Sequence, residues 1–339
     1  MHNKLLVADG EKALVGGRNI ADAHNGLSPA CNLVDDDVYV TGEVASELGN
    51  VFETFWTSEP AVPASILDQG ATDADLEASR SDIRRQVAAR ADRTPTRPIT
   101  STWRDRVSTD DHRVATDAVQ ITSDRPGTWD SDQPTQVAHA LHQAVETAEH
   151  DLVVVTPFFV PNELDVAWFA DTVNRGVRIR LLTNSLASNN GTISNSGLDK
   201  RRKGVVEAGV ELYELRPEAA AKPDWETAPC QGRYLGLHAK LYTIDGQRIF
   251  LGSVNLDPRS KLVNTEVGIL VEDPDYTKEM ADGIEQLMTP ENSWRVELDP
   301  DGRLVWHDDE GTTHRQPARS PLQRIADRAY EILPINPYI

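Results

Sequence analysis

Residues 237–270 read LHAKLYTIDGQRIFLGSVNLDPRSKLVNTEVGIL, and this stretch predicts a strand, a turn at Asp245-Gly246, a second strand, a small loop and a third strand. It contains the pattern H-x-K-x4-D, followed after six residues by G-S-x-N. The residues of this pattern are His238, Lys240, Asp245, Gly252, Ser253 and Asn255. The same spacing occurs at the start of the chain, in His2, Lys4, Asp9, Gly16, Gly17 and Asn19. Two copies in one register form an internal repeat, and they predict a chain with two related halves.

The residue types in the repeat suit the chemistry of a phosphodiester. Residues two apart in an extended strand point to one face, so His238 and Lys240 are expected to project together, as are His2 and Lys4. The glycine-containing loop allows backbone N–H groups and an asparagine amide to approach an anion. One imidazole can attack phosphorus while the other protonates the leaving alcohol. The sequence shows no carboxylate cage or Cys/His cluster with metal spacing, so we expect neither a metal nor another cofactor.

With these motifs the chain resembles the phospholipase D superfamily, whose signature is the same pattern in duplicate. Further segments resemble the bacterial cardiolipin synthases, and their C-type branch in particular. These segments are VGGRNIAD at 15–22, TPFFVP at 156–161, RGVRIRLLTNSLAS at 175–188, AGVELYELRP at 208–217 and GSVNLDPRSKLVNTEVG at 252–268. The first motif departs from the signature in having Gly17 where the second has Ser253. The polar stretch 184–195 also departs from the more apolar segment of the family, which leaves the choice of headgroup open.

The resemblance implies an α/β fold of two layered α-β-α domains with pseudo-twofold symmetry, the first of them truncated. It implies an active site between the halves, with the catalytic residues His2, Lys4, Asn19, His238, Lys240 and Asn255. The implied reaction is ping-pong phosphatidyl transfer through a phosphohistidine, from one phospholipid to phosphatidylglycerol to give cardiolipin. With water as the acceptor, the same chemistry is phospholipase D hydrolysis. The family places the nucleophile on the N-terminal motif, here His2, and makes His238 the general acid.

Acidic residues near the motifs are predicted to support the imidazoles. Glu266 lies on the strand expected beside His238, where its carboxylate can accept a hydrogen bond from the imidazole Nδ1–H. The matching acid of the first half is Asp37, because it precedes a valine as Glu266 does, and Asp35 is the alternative. A plain cross-strand charge pair with an arginine is the competing interpretation of Glu266.

The remaining polar residues near the motifs receive structural interpretations. Asp9 and Asp245 end their strands, so we expect them to be turn residues that support the motifs without taking part in the chemistry. His24 is expected to be an ordinary loop histidine. His139 and His142 lie about one turn apart on a predicted helix, and without a third donor nearby we interpret them as a packed or solvated helix face.

The length of 339 residues exceeds that of one typical domain. We expect residues 1–60 to be the remnant of an N-terminal phospholipase D-like domain, 61–116 to be a connector, and 117–339 to be the C-terminal phospholipase D-like domain. Strand and helix patterns alternate beyond residue 117, which favours a layered α/β sheet. Because only Met1 precedes the first motif, we expect a fragment or a misassigned start, with an apolar edge at residues 5–7 and a frayed His2.

The net charge of −20 narrows the choice of partners. An acidic surface repels polyanions, so nucleic acid is disfavoured as a partner. Two alternatives to the phosphatidyltransferase function are a nuclease on the same scaffold and an impaired fragment that acts as a binding module. No stretch approaches the roughly 18 apolar residues of a membrane-spanning helix, and no targeting segment precedes the first motif. We therefore expect phospholipid substrates, peripheral membrane contact, and a location at the cytoplasmic face of the membrane or otherwise membrane-associated in a bacterium.

Overall fold

The centre of the fold consists of β-strands. The computed structural model describes residues 1–67, 70, 72–89, 116–127, 133–189, 192–227 and 229–332. The strands within these ranges are β1 Leu5–Ala8, β2 Lys12–Gly16, β3 Cys31–Val34, β4 Asp37–Thr41, β5 Val119–Ser123, β6 Asp151–Val155, β7 Arg178–Asn184, β8 Glu211–Leu215, β9 Tyr234–Leu237, β10 Leu241–Ile244, β11 Arg248–Gly252, β12 Val267–Glu272, β13 Ser293–Leu298, β14 Leu304–His307 and β15 Thr312–Thr313.

Helices lie between and around these strands. The α-helices within the described ranges are α1 Glu43–Trp56, α2 Ala64–Leu67, α3 Asp73–Ala89, α4 Gln136–Glu146, α5 Glu163–Asn174, α6 Thr192–Asp199, α7 Arg202–Glu207, α8 Pro258–Leu262, α9 Pro274–Leu287 and α10 Pro321–Ile332. Short 3₁₀ turns occupy Asp22–Asn25, Thr116–Ala118 and Lys222–Trp225. None of the described helices is long and apolar enough to cross a membrane.

Ten strands form one mixed sheet, in the order β15-β14-β13-β8-β7-β6-β10-β11-β12-β5. Strands β6, β7 and β8 run parallel and are connected by helices, as parallel crossovers require. Strand β10 runs antiparallel to β6, with Leu241 opposite Val155. The motif hairpin β10–β11 turns at Asp245 and Gly246, which both have positive φ. The predicted α/β architecture is confirmed, although His238 and Lys240 lie between β9 and β10 and not inside a strand.

Apolar cores cover both faces of this sheet. In β6, Leu152 and Val154 belong to the core under α4 and α5, whereas Val153 and Val155 belong to the core on the opposite face. Burial on both faces accounts for the unbroken apolar run of β6 in the sequence. The two cores therefore hold β6 in place, and β6 pairs with β10 of the second motif.

The N-terminal elements pack on the second of these faces. Strands β1, β2 and β4 form a three-stranded antiparallel sheet, and Val15 of β2 joins the same core as Val153. In the sequence, Val44, Leu48, Val51, Phe52 and Phe55 recur at helical spacing, which predicts a helix over 43–56. Helix α1 occupies this range, with Val44 and Leu48 buried against this core. A separate parallel ladder pairs β3 with β9 and brings the first half directly beside the second motif.

The start of the chain is anchored to the second half. The backbone N–H of His2 donates to the carbonyl oxygen of Thr265 at 2.9 Å, and the Asn3 amide donates to the carbonyl oxygen of Glu266 at 3.2 Å. The expectation of a frayed His2 is therefore wrong, because a distant segment of the chain holds it. Strand β1 is an edge of its sheet and Leu6 is 61% exposed, as expected for an apolar edge.

The predicted connector is only partly described. Helices α2 and α3 lie within it, and none of the residues of α3 is buried. Residues 90–115 lie outside the described residues. The exposed helix α3 is consistent with a segment that lies on the surface.

Candidate active site

The first imidazole, that of His2, is held by an acid of the second half. His2 Nδ1 lies 2.8 Å from Glu266 Oε2 and 3.0 Å from Oε1. The fully buried Glu266 carboxylate also accepts hydrogen bonds from the hydroxyls of Ser253 and Ser260 and from the Asn264 amide. Because several donors fix this carboxylate, the imidazole that it binds is fixed as well.

The second imidazole, that of His238, is held in return by an acid of the first half. Its Nδ1 lies 2.9 Å from Asp35 Oδ2. The prediction that Glu266 supports His238 is therefore wrong. The acids are exchanged because β3 ends beside β9, where the His238 N–H donates to the Val34 carbonyl oxygen at 2.7 Å and Asp35 follows directly. Glu266 instead lies where the second half meets residues 2–4.

The prediction of Asp37 as the supporting acid of the first half is also wrong. Residues 35 and 36 separate β3 from β4, and Asp37 begins β4 outside the site. Its Oδ2 lies 2.5 Å from Arg18 Nε. Arg18 in turn donates to the backbone carbonyl oxygens of His24 and Asp35. Asp37 therefore anchors an arginine that braces the loop around Asp35, and no contact between Asp37 and an imidazole is found in the described part of the chain.

A third imidazole, that of His24, lies at the site. Its Nδ1 is 2.8 Å from the same Asp35 Oδ2 that binds His238. The rings of His24 and His238 meet edge to face, with their centroids 4.5 Å apart. His24 is buried, so its interpretation as an ordinary loop histidine is wrong. One carboxylate oxygen thus joins two imidazoles.

The repeat itself contains a signal for His24. His24 follows Gly17 by seven residues, and Ser260 follows Ser253 by the same seven residues. Each of these residues contacts the acid of its own half: the His24 ring at 2.8 Å and the Ser260 hydroxyl at 2.7 Å. The shared offset could have identified both positions from the sequence.

Glycine at position 17 has a steric reason. A Cβ atom on Gly17 would lie 2.5 Å from Asp35 Oδ1, closer than two such atoms can approach. In the second copy, Ser253 instead donates its hydroxyl to Glu266. The first half therefore lacks this hydroxyl, and His24 provides a donor to Asp35 from another position.

The two motif lysines are placed alike. Lys240 is 2% exposed, and its Nζ lies 3.0 Å from His238 Nδ1 and donates to the His238 carbonyl oxygen. Lys4 Nζ donates to the His2 carbonyl oxygen at 2.7 Å. Burial lowers the pKa of Lys240 to about 7 and that of Lys4 to about 8, while the charges of the two supporting acids oppose the change. Since each lysine senses the acids of both halves, the halves form one electrostatic site.

The electrostatics of the second imidazole favour its neutral form. Burial, followed by the charge of Lys240, lowers the pKa of His238 to about 4, although the hydrogen bond with Asp35 acts in the opposite direction. Burial acts to raise the pKa of Asp35, but the hydrogen bonds from His238 and His24 outweigh it and hold that pKa well below its usual range. At neutral pH an Nδ1–H of His238 can therefore donate to an ionised Asp35, which leaves Nε2 unprotonated.

The two motif asparagines have different environments. Asn255 is 3% exposed, and its Oδ1 has no hydrogen-bond partner among the residues that the structure describes. Asn19 is exposed, and its amide Nδ2 lies 3.3 Å from His24 Nε2. A buried oxygen without a partner is costly, so Asn255 is the better placed of the two to bind a ligand.

The motif aspartates are at turns, as expected. Asp9 and Asp245 have φ of 55° and 54° at the ends of their strands. The Asp245 carboxylate accepts hydrogen bonds from the backbone N–H groups of residues 149–151. Asp245 thereby fixes the motif hairpin against the start of β6 through backbone contacts at residues 149–151.

Three donors of the site are close enough to be considered for a metal ion. The ligating atoms of His24, Asp35 and His238 lie within 4.8 Å of one another, a cluster that the sequence spacing did not indicate. Both Nδ1 atoms are at hydrogen-bond distance from one Asp35 oxygen, and Lys240 Nζ lies beside His238. A protonated lysine at this position disfavours a second cation, so we interpret the cluster as a hydrogen-bonded one.

The described residues of the polar stretch that begins at Asn184 form hydrogen bonds with one another and with neighbouring segments. The Asn184 amide donates to the carbonyl oxygens of Pro157 and Leu237, and the hydroxyls of Ser185 and Ser188 bond each other. These residues fasten the loop 156–161 to the second motif. The same loop carries Phe158, whose ring centroid lies 6.3 Å from that of His238.

The chain is similar in sequence to known proteins. The family model described as "Cardiolipin synthase, PLD-like domain" matches residues 141–288, which contain the second motif. Cardiolipin synthase C of Escherichia coli (strain K12) is 30% identical over 351 residues, which cover 99% of this chain and 72% of that protein. Cardiolipin synthase A of Pseudomonas syringae pv. syringae (strain B728a) is 24% identical, over 82% of this chain and 45% of that protein.

A solved structure agrees on the fold. The crystal structure of phosphatidylserine synthase from Haemophilus influenzae Rd KW20 matches with a TM-score of 0.56 and 14% identity, over 98% of this chain and 71% of that one. At this identity the likeness concerns the fold alone. Together with the duplicated motifs and the E. coli relative, it confirms the resemblance read from the sequence. The chain belongs to the phospholipase D superfamily, in its cardiolipin synthase family.

Proposed function

We propose that this chain transfers a phosphatidyl group between phospholipids through a covalent phosphohistidine, with cardiolipin as the product. The observation that carries the proposal is the crossed pair of imidazole–carboxylate contacts, His2 with Glu266 and His238 with Asp35. A carboxylate at Nδ1 orients each ring and leaves Nε2 for the reaction. Membership of the cardiolipin synthase family supports phospholipids as the substrates.

The first half-reaction breaks one P–O bond of the donor. Nε2 of His2 attacks phosphorus and forms a P–N bond, and the headgroup alcohol leaves with a proton from Nε2 of His238. Lys4, Lys240 and Asn255 hold the non-bridging oxygens while charge develops on them. The step yields a phosphatidyl-histidine and a free headgroup alcohol.

The second half-reaction reverses these roles. A hydroxyl of phosphatidylglycerol attacks phosphorus, His238 takes the hydroxyl proton, and the P–N bond to His2 breaks. The product is cardiolipin, and both imidazoles return to their starting forms. When water replaces the alcohol, the product is phosphatidic acid, which is the phospholipase D reaction.

The general acid needs a proton before the first step. Burial and the charge of Lys240 lower the pKa of His238 to about 4, so little of it is protonated at neutral pH. A bound phosphodiester is an anion, and beside Lys240 it would offset the lysine charge and raise the pKa of His238. Substrate binding would therefore favour protonation of His238. As the pH rises, kcat should begin to decline at a higher pH than kcat/KM does.

The wider setting belongs to the same proposal. Residues 1–60 and 117–339 would be the two phospholipase D-like parts, joined by the connector 61–116 and packed together through the core that Val15 and Val153 share. Since the substrates reside in a bilayer, the chain would act in peripheral contact with the membrane, at its cytoplasmic face. The net charge of −20 argues against nucleic acid as the substrate.

Product analysis tests the function. The purified chain is incubated with vesicles of phosphatidylglycerol and phosphatidylethanolamine, and the lipids are analysed by mass spectrometry. We expect cardiolipin and a free headgroup alcohol, with the formation of both products slowed at least about a hundredfold in a folded His238→Ala variant. Cleavage of DNA without lipid turnover would replace the proposal with a nuclease, and a folded chain that binds but converts no lipid would be a binding module.

A further inference from the structure

We propose that the cavity between helices α4 and α5 binds one acyl chain of the phospholipid whose phosphodiester lies at the paired histidines. This inference rests on the proposed function, because it requires a phospholipid substrate. The cavity has a volume of about 590 Å³, within the range of about 300–1,000 Å³ typical of ligand sites. Its walls are mainly apolar and include Leu141, Val154, Phe159, Trp168, Tyr242 and Leu256.

The second motif adjoins the cavity along the chain. Lys240 precedes β10 and Tyr242 follows two residues later, so their side chains share a face of the extended chain. Tyr242 lines the cavity, and so does Asn255 of the second motif. The cavity thus reaches a motif asparagine whose buried Oδ1 has no hydrogen-bond partner in the described part of the chain. A lipid whose phosphodiester lies at the motif would extend one acyl chain past Asn255 into the cavity.

The residues around the cavity favour the binding of an acyl chain over the binding of a second headgroup. The one lysine among its described lining residues, Lys261, is paired with Asp165 at 2.6 Å. His139 and His142 are on the exposed side of α4, at the rim. Apolar walls do not compensate the desolvation of a phosphate or an amine, but they gain free energy with every methylene group that they bury.

The mouth of the cavity suits entry from a lipid layer. Leu164, in the first turn of α5, lines the cavity and is 80% exposed. An exposed leucine beside an apolar opening is unfavourable in water and favourable against lipid. Lipid contact at this rim would place an acyl chain directly at the entrance.

Two tryptophan variants on one helix test the assignment. Ala138→Trp fills the cavity from α4, whereas Gln143→Trp lies on the exposed side of the same helix and serves as the control. The kcat/KM values for dihexanoyl and didecanoyl phosphatidylglycerol are measured in the same detergent micelles. We expect the wild type and Gln143→Trp to prefer the longer chains, and Ala138→Trp to lose at least about tenfold of that preference, as for two or more methylenes left in water. An unchanged preference in Ala138→Trp overturns the assignment.

A second variant and a binding measurement separate this inference from the proposed function. Leu164→Asp places a charge at the mouth of the cavity without filling it, so it should reduce the preference even if Ala138→Trp does not fold. Binding is followed by quenching of tryptophan emission with phosphatidylglycerol carrying brominated acyl chains, with Trp168→Phe to identify the Trp168 contribution. Quenching that is retained in Gln143→Trp and lost in Leu164→Asp supports the acyl site even without turnover, in which case the proposed function alone fails. No quenching of Trp168 overturns the acyl site.

Discussion

His2 Nδ1 lies 2.8 Å from a Glu266 carboxylate oxygen, although 264 residues separate the two in the chain. The relationship is mirrored by His238 and Asp35, which are 203 residues apart and 2.9 Å from each other. Each motif is therefore completed by an acid from the other half. Neither half orients its motif histidine by itself, so the geometry of His2 and His238 depends on the packing of the two halves together.

A pair of neighbouring aspartates tests the crossed contacts. Asp35→Asn removes the charge that holds His238 and should lower kcat by about tenfold to hundredfold, as is usual when an orienting carboxylate is lost. Asp37→Asn is the matched control, because Asp37 binds Arg18 and should change kcat far less. Steady-state kinetics of both variants decide the matter. Equal losses in both, or a larger loss in Asp37→Asn, would contradict the assignment.

The motif residues of the second half should be required for turnover and not for folding. His238→Ala removes the proton donor and should lower kcat by about 10²- to 10⁴-fold. Lys240→Ala removes a buried charge from the reacting group and should lower kcat by at least about a hundredfold. Circular dichroism should show an intact fold in both. Near wild-type turnover by either folded variant would mean that the site lies elsewhere.

His24 is expected to act as a positioning residue. Because it donates to the same Asp35 oxygen as His238, His24→Ala should leave KM nearly unchanged and lower kcat by about tenfold to hundredfold. Loss of this donor should also raise the pKa of Asp35. The loss of activity on acidification should therefore begin at a higher pH than in the wild type. His24→Asn retains an N–H donor and should recover part of kcat. A merely structural role would lower stability in both variants without moving the pH profile.

The pH dependence of stability reports on His238. Its pKa falls from its usual 6.5 to about 4 on folding, so the unfolded chain binds more protons between these values and stability falls as the pH drops through this window. We expect His238→Gln to lose less stability than the wild type between pH 6.5 and 4, by up to about 3 kcal/mol. Urea titrations across this window measure the difference. Parallel pH profiles of the two proteins would contradict the lowered pKa.

Chelators should leave the chemistry unaffected. In the proposed mechanism the imidazoles provide the nucleophile and the lysines stabilise the developing charge, and Lys240 lies beside the cluster of His24, Asp35 and His238. Turnover in detergent micelles should therefore be equal with and without EDTA. Partial stimulation by salts of any cation would fit screening of an acidic protein at an anionic surface. Complete loss in EDTA, restored by one divalent ion alone, would instead assign a metal to the cluster.

The sequence predicted the motif residues and the layered sheet because both depend on local spacing. The repeat identified His2, Lys4, His238 and Lys240, and apolar spacing identified helix α1. The partners of the imidazoles were predicted wrongly, since which acid meets which ring depends on the docking of distant segments. Local resemblance around position 37 therefore could not distinguish Asp37 from Asp35.

The pairing of β3 with β9 shows the same limit. Both strands have four residues, lie about 200 positions apart and carry no signal for their parallel register. Yet this ladder places Asp35 beside His238 and thereby decides the role of His24. The seven-residue offset shared with Ser260 was available in the sequence, but its meaning depends on the contacts that this ladder creates.

The central claim is that a histidine of the paired motifs carries the phosphatidyl group between donor and acceptor. The most direct measurement is to incubate the wild type and His2→Ala and His238→Ala with donor phospholipid, quench rapidly, and map the adduct by mass spectrometry of the peptides. We expect a phosphatidyl group on the imidazole of His2 in the wild type and none in folded His2→Ala. Steady turnover of lipid without any phosphatidyl-histidine on either motif would contradict it.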